Sequence, residues 1–173
     1  MSFKKLFLFI PLLLLVSSCA QKKAESSEQE FSLQAIVDEA TFKDLEGNDV
    51  TLADYKGKVI LIDFWETWCG PCLQVFPAMD KLQEEYPDDF VVLAVNSGVS
   101  DDVSDAITFS EQNSYDLNYL YDENAVAEEI GIYTIPYKIF IAPDGSVIKA
   151  HIGSYGTEGD YEFAKQILLE HKS

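Results

Sequence analysis

Residues 58–72 read Lys58-Val59-Ile60-Leu61-Ile62-Asp63-Phe64-Trp65-Glu66-Thr67-Trp68-Cys69-Gly70-Pro71-Cys72, and this stretch decides the fold. Its first half is an apolar run broken only by Asp63. A run without the polar alternation of a half-exposed strand predicts a strand buried on both faces. It leads straight into two cysteines separated by two residues. Pro71 suits the first turn of a helix, where its missing N–H has no intrahelical partner to lose. From Pro71 to Tyr86 the residues Cys72, Val75, Phe76, Met79, Leu82 and Tyr86 recur at helical spacing. Pro77 falls inside that helix and predicts a kink.

Outward from this junction, the pattern continues as alternating elements. Thr41 to Leu45 and Val50 to Leu52, around Gly47-Asn48-Asp49, predict an N-terminal β-hairpin. Phe90 to Val95 predicts a second fully buried strand. Asp101 to about Ser114 predicts a helix with Val103, Ala106, Ile107 and Ser110 on its apolar face. Tyr119 to Tyr121 reads as a short strand, and Ala125 to Ile130 as a short helix ended by Gly131. Tyr137 to Ala142 and Ser146 to Ile152 form a hairpin about Pro143-Asp144-Gly145. Tyr161 to His171 closes the chain as a helix with Ala164, Ile167 and Leu168 inward. The order predicts an α/β fold in three layers, a mixed central sheet with helices on both faces.

The N-terminus has a different logic. Lys4 and Lys5 precede an apolar run from Leu6 to Val16, followed by Ser17-Ser18-Cys19. A charged start, a short apolar segment and a small-residue cleavage site make a secretory signal. Its eleven apolar residues span about 16 Å as a helix, against roughly 30 Å of bilayer hydrocarbon. The site resembles a bacterial lipobox, which implies cleavage before Cys19 and acylation of its thiol. The expected organisation is a signal peptide over 1–18, a lipidated Cys19 with a flexible polar spacer over 19–35, and one folded domain over 36–173. The mature protein is then extracytoplasmic, in the cell envelope, and held to a membrane by its lipid.

The chain has a net charge of −18 and contains no arginine. Removing residues 1–18 takes away two lysines and no acids, so −18 becomes −20. Such a chain has no electrostatic route to nucleic acid and lacks the guanidinium forks that clamp phosphate. With Cys19 given to lipid, only Cys69 and Cys72 remain. A structural zinc site needs four ligands, and His151 and His171 lie far along the chain. No metal and no separate cofactor are expected; the cysteine count leaves redox chemistry as the main option.

At a strand–helix junction the pair has a clear division of labour. Cys69 sits where free backbone N–H groups and the helix dipole stabilise a thiolate, so it is the expected nucleophile. Cys72, one turn on and turned inward, is within disulfide reach and is the expected resolving thiol. Asp63, six residues before Cys69, is the one charge in a buried strand, and burial should raise its pKa. Trp65 reads as core and Trp68 as a cover for the redox site.

The stretch from Ile60 to Cys72 closely resembles the active-site strand and loop of the thioredoxin superfamily. Pro77 falls where thioredoxins carry a kink proline, and Ile135-Pro136, before a buried strand, matches their cis-proline. The upstream hairpin, the inserted helix near 101–114 and the lipid signal look like the TlpA/ResA branch of exported thiol-disulfide oxidoreductases. The resemblance covers roughly Ala40 to Leu169. It implies a redox-active Cys69–Cys72 disulfide and Asp63 as the proton acceptor of Cys72. It also implies a substrate surface of Trp68, Gly70, Pro71, Ile135 and Pro136, with Ile135 offering its backbone to a client peptide. Three departures stand out. Glu66 replaces a small residue and is either a second acid-base group, a charge acting on Cys69, or a solvated loop residue. Ala94 stands where thioredoxins place a lysine near the buried acid, so Asp63 is expected to lack a cationic partner. Tyr137 replaces the usual threonine.

The expected function is reduction of disulfides in exported proteins, for example in cytochrome c maturation. The expected partners are protein thiols and disulfides, a membrane or periplasmic electron donor, and the membrane through the lipid. A disulfide oxidase or isomerase is the nearest alternative. A thiol peroxidase would want a lone reactive cysteine in its own loop, and a metal carrier a further soft ligand.

Overall fold

The computed structural model describes residues 33–172. The expected signal peptide over 1–18, the expected lipid site at Cys19 and the part of the expected 19–35 spacer before residue 33 lie outside the described residues. A helix α1 over 33–39 precedes β1 (Thr41–Asp44) and β2 (Asp49–Thr51), followed by a 3-10 turn at Leu52–Tyr55. Then come β3 (Val59–Trp65), α2 (Gly70–Leu73), α3 (Phe76–Glu85), β4 (Phe90–Asn96), α4 (Val103–Gln112) and β5 (Asn118–Tyr121). The chain closes with α5 (Val126–Ile130), β6 (Tyr137–Ile141), β7 (Val147–Ile152) and α6 (Gly156–His171).

The strands make one mixed sheet in the order β2-β1-β5-β4-β3-β6-β7. Strands β3, β4 and β5 are parallel, and β6, β7, β1 and β2 complete both flanks in antiparallel pairing. Every residue of β3 and β4 is buried, as their unbroken apolar runs predict. Alternation along β3 sends Leu61 and Trp65 into the layer with α3 and α6, and Ile60, Ile62 and Phe64 into the layer with Val37 of α1 and Val126 of α5. This is the expected three-layer, thioredoxin-like α/β fold with an N-terminal hairpin.

Several expectations change. The helix expected over 71–86 is two helices, joined by a tight turn in which Val75 N donates to Cys72 O at 3.0 Å. Pro77 has no N–H to give the Leu73 carbonyl, so the chain restarts and Pro77 occupies the first turn of α3. In α4 the inward residues are Ala106 and Phe109, whose ring lies 4.7 Å from that of Trp65. Val103 follows the N-cap Asp102 and is exposed. Helix α6 begins five residues before the expected Tyr161.

The fold also reaches upstream of residue 36. Gln34 Nε2 donates to Gly145 O at 3.0 Å, and Val147 N donates to Gln34 Oε1 at 2.7 Å, so α1 is tied to the β6–β7 hairpin. Leu33, Ile36 and Val37 carry a helical i, i+3, i+4 spacing that the polar residues before them disguise.

Candidate active site

Strand β3 ends at Trp65, and the next four residues turn the chain into α2. Cys69 and Cys72 form a disulfide with Cα atoms 5.2 Å apart. Cys69 caps α2: Cys72 N donates to its Sγ at 3.3 Å and to its carbonyl at 2.9 Å. An N–H aimed at that sulfur would stabilise a Cys69 thiolate after reduction. Cys69 is 3% exposed and Cys72 fully buried. An incoming sulfur therefore meets Cys69 first, and Cys72 can only act from behind.

The turn holding Cys69 is fixed by two buried acids. Glu66, 1% exposed, accepts from Ser97 Oγ (2.7 Å), Val99 N (2.8 Å) and Ser100 N (3.1 Å) through Oε1, and from the Trp68 indole (2.5 Å) through Oε2. The solvated-loop reading of Glu66 is corrected: four donors offset the desolvation of a buried carboxylate. Asp101 accepts from Thr67 N (2.6 Å), Thr67 Oγ1 (2.9 Å) and Asn96 Nδ2 (2.8 Å). These two acids join the redox loop to the β4–α4 connection. In the sequence Glu66 stands out as a departure from the resemblance, whereas Asp101 carries no signal beyond the start of an expected helix.

Asp63 sits on the same face of β3 as Leu61 and Trp65, facing the layer that contains Cys72 and α6. It is fully buried, and neither carboxylate oxygen has a hydrogen-bond partner. Burial pushes its pKa up to about 7; Lys138 pulls the other way, and Asp160 adds to the rise. An acid titrating near neutrality and facing the layer that holds the resolving cysteine is suited to proton exchange. The expectation that Asp63 lacks a cationic partner is corrected. Its neighbour on β4 is indeed Ala94, but across β6 it faces Lys138. A lone lysine in the otherwise apolar run Tyr137 to Ile141 was the signal that could have revealed this.

The Ile135–Pro136 peptide bond is cis, as the resemblance implies. The β3–β6 register pairs Phe64 with Tyr137, so this step lies at the cysteine end of the sheet. Trp65 is core, its ring 5.0 Å from Phe76. Trp68 is 63% exposed and, with Val99, Tyr133 and Ile135, lines a groove of about 870 Å³. Gly70 and Pro71 are exposed and Ile135 is half-buried at the edge of this groove, whereas Pro136 is buried.

Among the described residues no helix is long and apolar enough to cross a membrane. Comparison with known proteins agrees with the geometry. The AhpC/TSA family profile matches residues 29–150. The thioredoxin-like protein YneN of Bacillus subtilis is 35% identical over 116 residues, covering 66% of this chain and 68% of that protein. The thiol-disulfide oxidoreductase ResA of Bacillus thuringiensis is 30% identical over 128 residues, 72% of each chain. The structure of the exposed lipoprotein thioredoxin Etrx1 from Streptococcus pneumoniae superposes with a TM-score of 0.64 at 29% identity, over 76% of this chain and 98% of that one. With its cysteine pair at the head of α2 and a cis-proline at the same end of the sheet, the chain belongs to the AhpC/TSA family and is one of its thioredoxin-like thiol-disulfide oxidoreductases.

Proposed function

We propose that this protein is an envelope reductase, anchored through a lipidated Cys19, that donates electrons from the Cys69–Cys72 dithiol to disulfides of exported proteins, apocytochrome c among them. The observation that carries the reading is the contrast between a minimally exposed Cys69 and a fully buried Cys72 lying on the Asp63 face of β3. The Cys69 thiolate attacks one sulfur of the client disulfide, and the other leaves as a thiolate. Asp63 takes the proton of Cys72. The Cys72 thiolate then attacks Cys69, the client's second sulfur leaves, and the Cys69–Cys72 disulfide forms. Two electrons have passed to the client, and a dithiol donor must restore the pair. Trp68 and Ile135 hold the client strand in the groove, and Glu66 acts by positioning Trp68 and the 97–100 loop. The secretory signal and the lipoprotein relative Etrx1 support the location.

Cys72→Ser tests the reading. It should trap clients on Cys69 as mixed disulfides in the native envelope, and an empty trap would overturn an exchange role. The potential of the pair decides direction: a value well above about −180 mV, toward the oxidising end of the range for such proteins, would replace reductase by oxidase or isomerase. Cys19→Ser should release the protein from membranes, and retention would refute the lipid anchor.

A further inference from the structure

Lys138 is 1% exposed, the second residue of an otherwise apolar strand. A lysine so placed is costly unless its ammonium is paired and hydrogen-bonded. It has two partners, Asp160 Oδ1 at 3.4 Å and the Gly153 carbonyl at 2.7 Å. Asp160, in α6, is as deeply buried, and its Oδ2 accepts the Ser154 hydroxyl. Ser154 Oγ in turn accepts from Gly156 N at 2.9 Å. The pair is therefore locked in place by the β7–α6 connection.

The sheet register sets this pair beside the acid of the redox site. Asp63, Lys138 and His151 are direct neighbours across β3, β6 and β7. Opposed residues of antiparallel strands project from one face, and α6 covers that face with Asp160. On the other side β4 contributes only Ala94. The charged groups facing Asp63 are thus Lys138 from β6 and Asp160 from α6. Beyond Lys138 lie His151 on β7, stacked on Tyr155 at 4.7 Å, and Lys149. One buried ammonium stands near two buried carboxylates and cannot serve both equally.

We propose that Lys138 and Asp160 are positioning residues for the resolving step: the division of the Lys138 charge between Asp160 and Asp63 sets whether Asp63 is free to take the proton of Cys72. This rests on the role given to Asp63 in the proposed function. In that step the Sγ–H bond of Cys72 breaks and its proton passes to an Asp63 oxygen. The freed electron pair makes the Cys72–Cys69 bond as the Cys69–client bond breaks, and the client sulfur leaves with that bond's electrons. The ammonium favours the ionised Asp63 that begins the step. The Asp160 carboxylate opposes it, directly by like charge and indirectly by drawing Lys138 away.

The test is a carbon-13 NMR titration of the Asp63 carboxyl in the reduced protein, for wild type, Lys138→Met, Asp160→Asn and the double variant. Lys138→Met should raise the Asp63 midpoint by about one unit or more, a tenfold change in proton affinity. Asp160→Asn should lower it. The double variant leaves no orphaned charge; it should still fold if Lys138→Met does not, and should titrate above wild type, because Lys138 outweighs Asp160 at Asp63. The pH midpoint of mixed-disulfide resolution should move in the same order and lose that dependence in an Asp63→Asn background. Midpoints agreeing within about 0.3 unit, a twofold change, would show a purely structural ion pair and overturn the proposal. So would carboxyl shifts that the resolution rate ignores. A wild-type protein that reduces no disulfide would refute the proposed function instead, and the carboxyl titration would still read the pair.

Discussion

Glu66 and Trp68, two residues apart, are joined by a hydrogen bond of 2.5 Å from the indole Nε1 to the carboxylate Oε2, while the other carboxylate oxygen holds Ser97, Val99 and Ser100. The two oxygens divide the work: one anchors the β4–α4 loop, the other orients the exposed indole beside Cys69.

Glu66→Gln separates these tasks. Its amide oxygen can still accept the three loop donors, but its NH2 cannot accept from the indole. Trp68 should be released, with a red-shifted emission and a higher KM for protein disulfides, at a stability loss of about 1 kcal/mol. Glu66→Ala should cost about 2–4 kcal/mol, because the loop donors lose a charged partner. Chemical denaturation of both variants, with fluorescence, checks the ranking; equal losses would refute it.

Asp63 gives stability a specific pH dependence. Its folded pKa of about 7 lies above the ordinary 3.8, so the folded chain holds its proton more tightly. Between about pH 4 and 7 the native state binds more protons than the unfolded state, and stability falls as pH rises. Below that window the group contributes nothing; above it the penalty is on the order of 4 kcal/mol. Asp63→Asn should match wild type near pH 4 and exceed it at pH 8. Guanidinium titrations at both pH values test this, and parallel curves would contradict it.

Asp101 is the second brace of the redox loop. Asp101→Ala leaves Thr67 N, Thr67 Oγ1 and Asn96 Nδ2 without their acceptor. The expected loss is about 2–4 kcal/mol, with a lower kcat/KM because Cys69 sits two residues beyond Thr67. Hydrogen exchange at Thr67 N should quicken by tenfold or more in step with that loss.

Gly98 lies at φ +66 between the two braces, and a Cβ there would meet Tyr121 Oη at 2.9 Å. Gly98→Ala adds backbone strain to that clash and should cost about 1–3 kcal/mol. Tyr121→Phe in the same background should recover part of the loss by removing the closest atom, which thermal denaturation of the pair of variants would show.

The sequence made the sheet legible where periodicity was unmixed: β3 and β4 as apolar runs, and the β6–β7 hairpin from Pro143-Asp144-Gly145. The Cys69–Cys72 pair and the Ile135–Pro136 step were legible from a resemblance carried by residues contiguous in the chain. What stayed hidden depended on long-range pairing. Glu66 looks like a surface residue until Ser97, Val99 and Ser100 arrive from thirty or so residues away. Lys138 could be matched to Asp63 only once the β3–β6 register was known. The break before Pro77 was foreseen as a kink, because a missing N–H does not say how far the chain will turn.

The clasp between Gln34 and the tip of the β6–β7 hairpin has a mechanical consequence. Strand β6 runs from the cis-proline end of the sheet, the end at which β3 leads into the cysteines, toward Gly145 and Val147 at the other. The chain therefore joins its fold at the pole opposite the cysteines. Force applied to α1 would therefore be borne by the hairpin at that pole rather than by the redox loop.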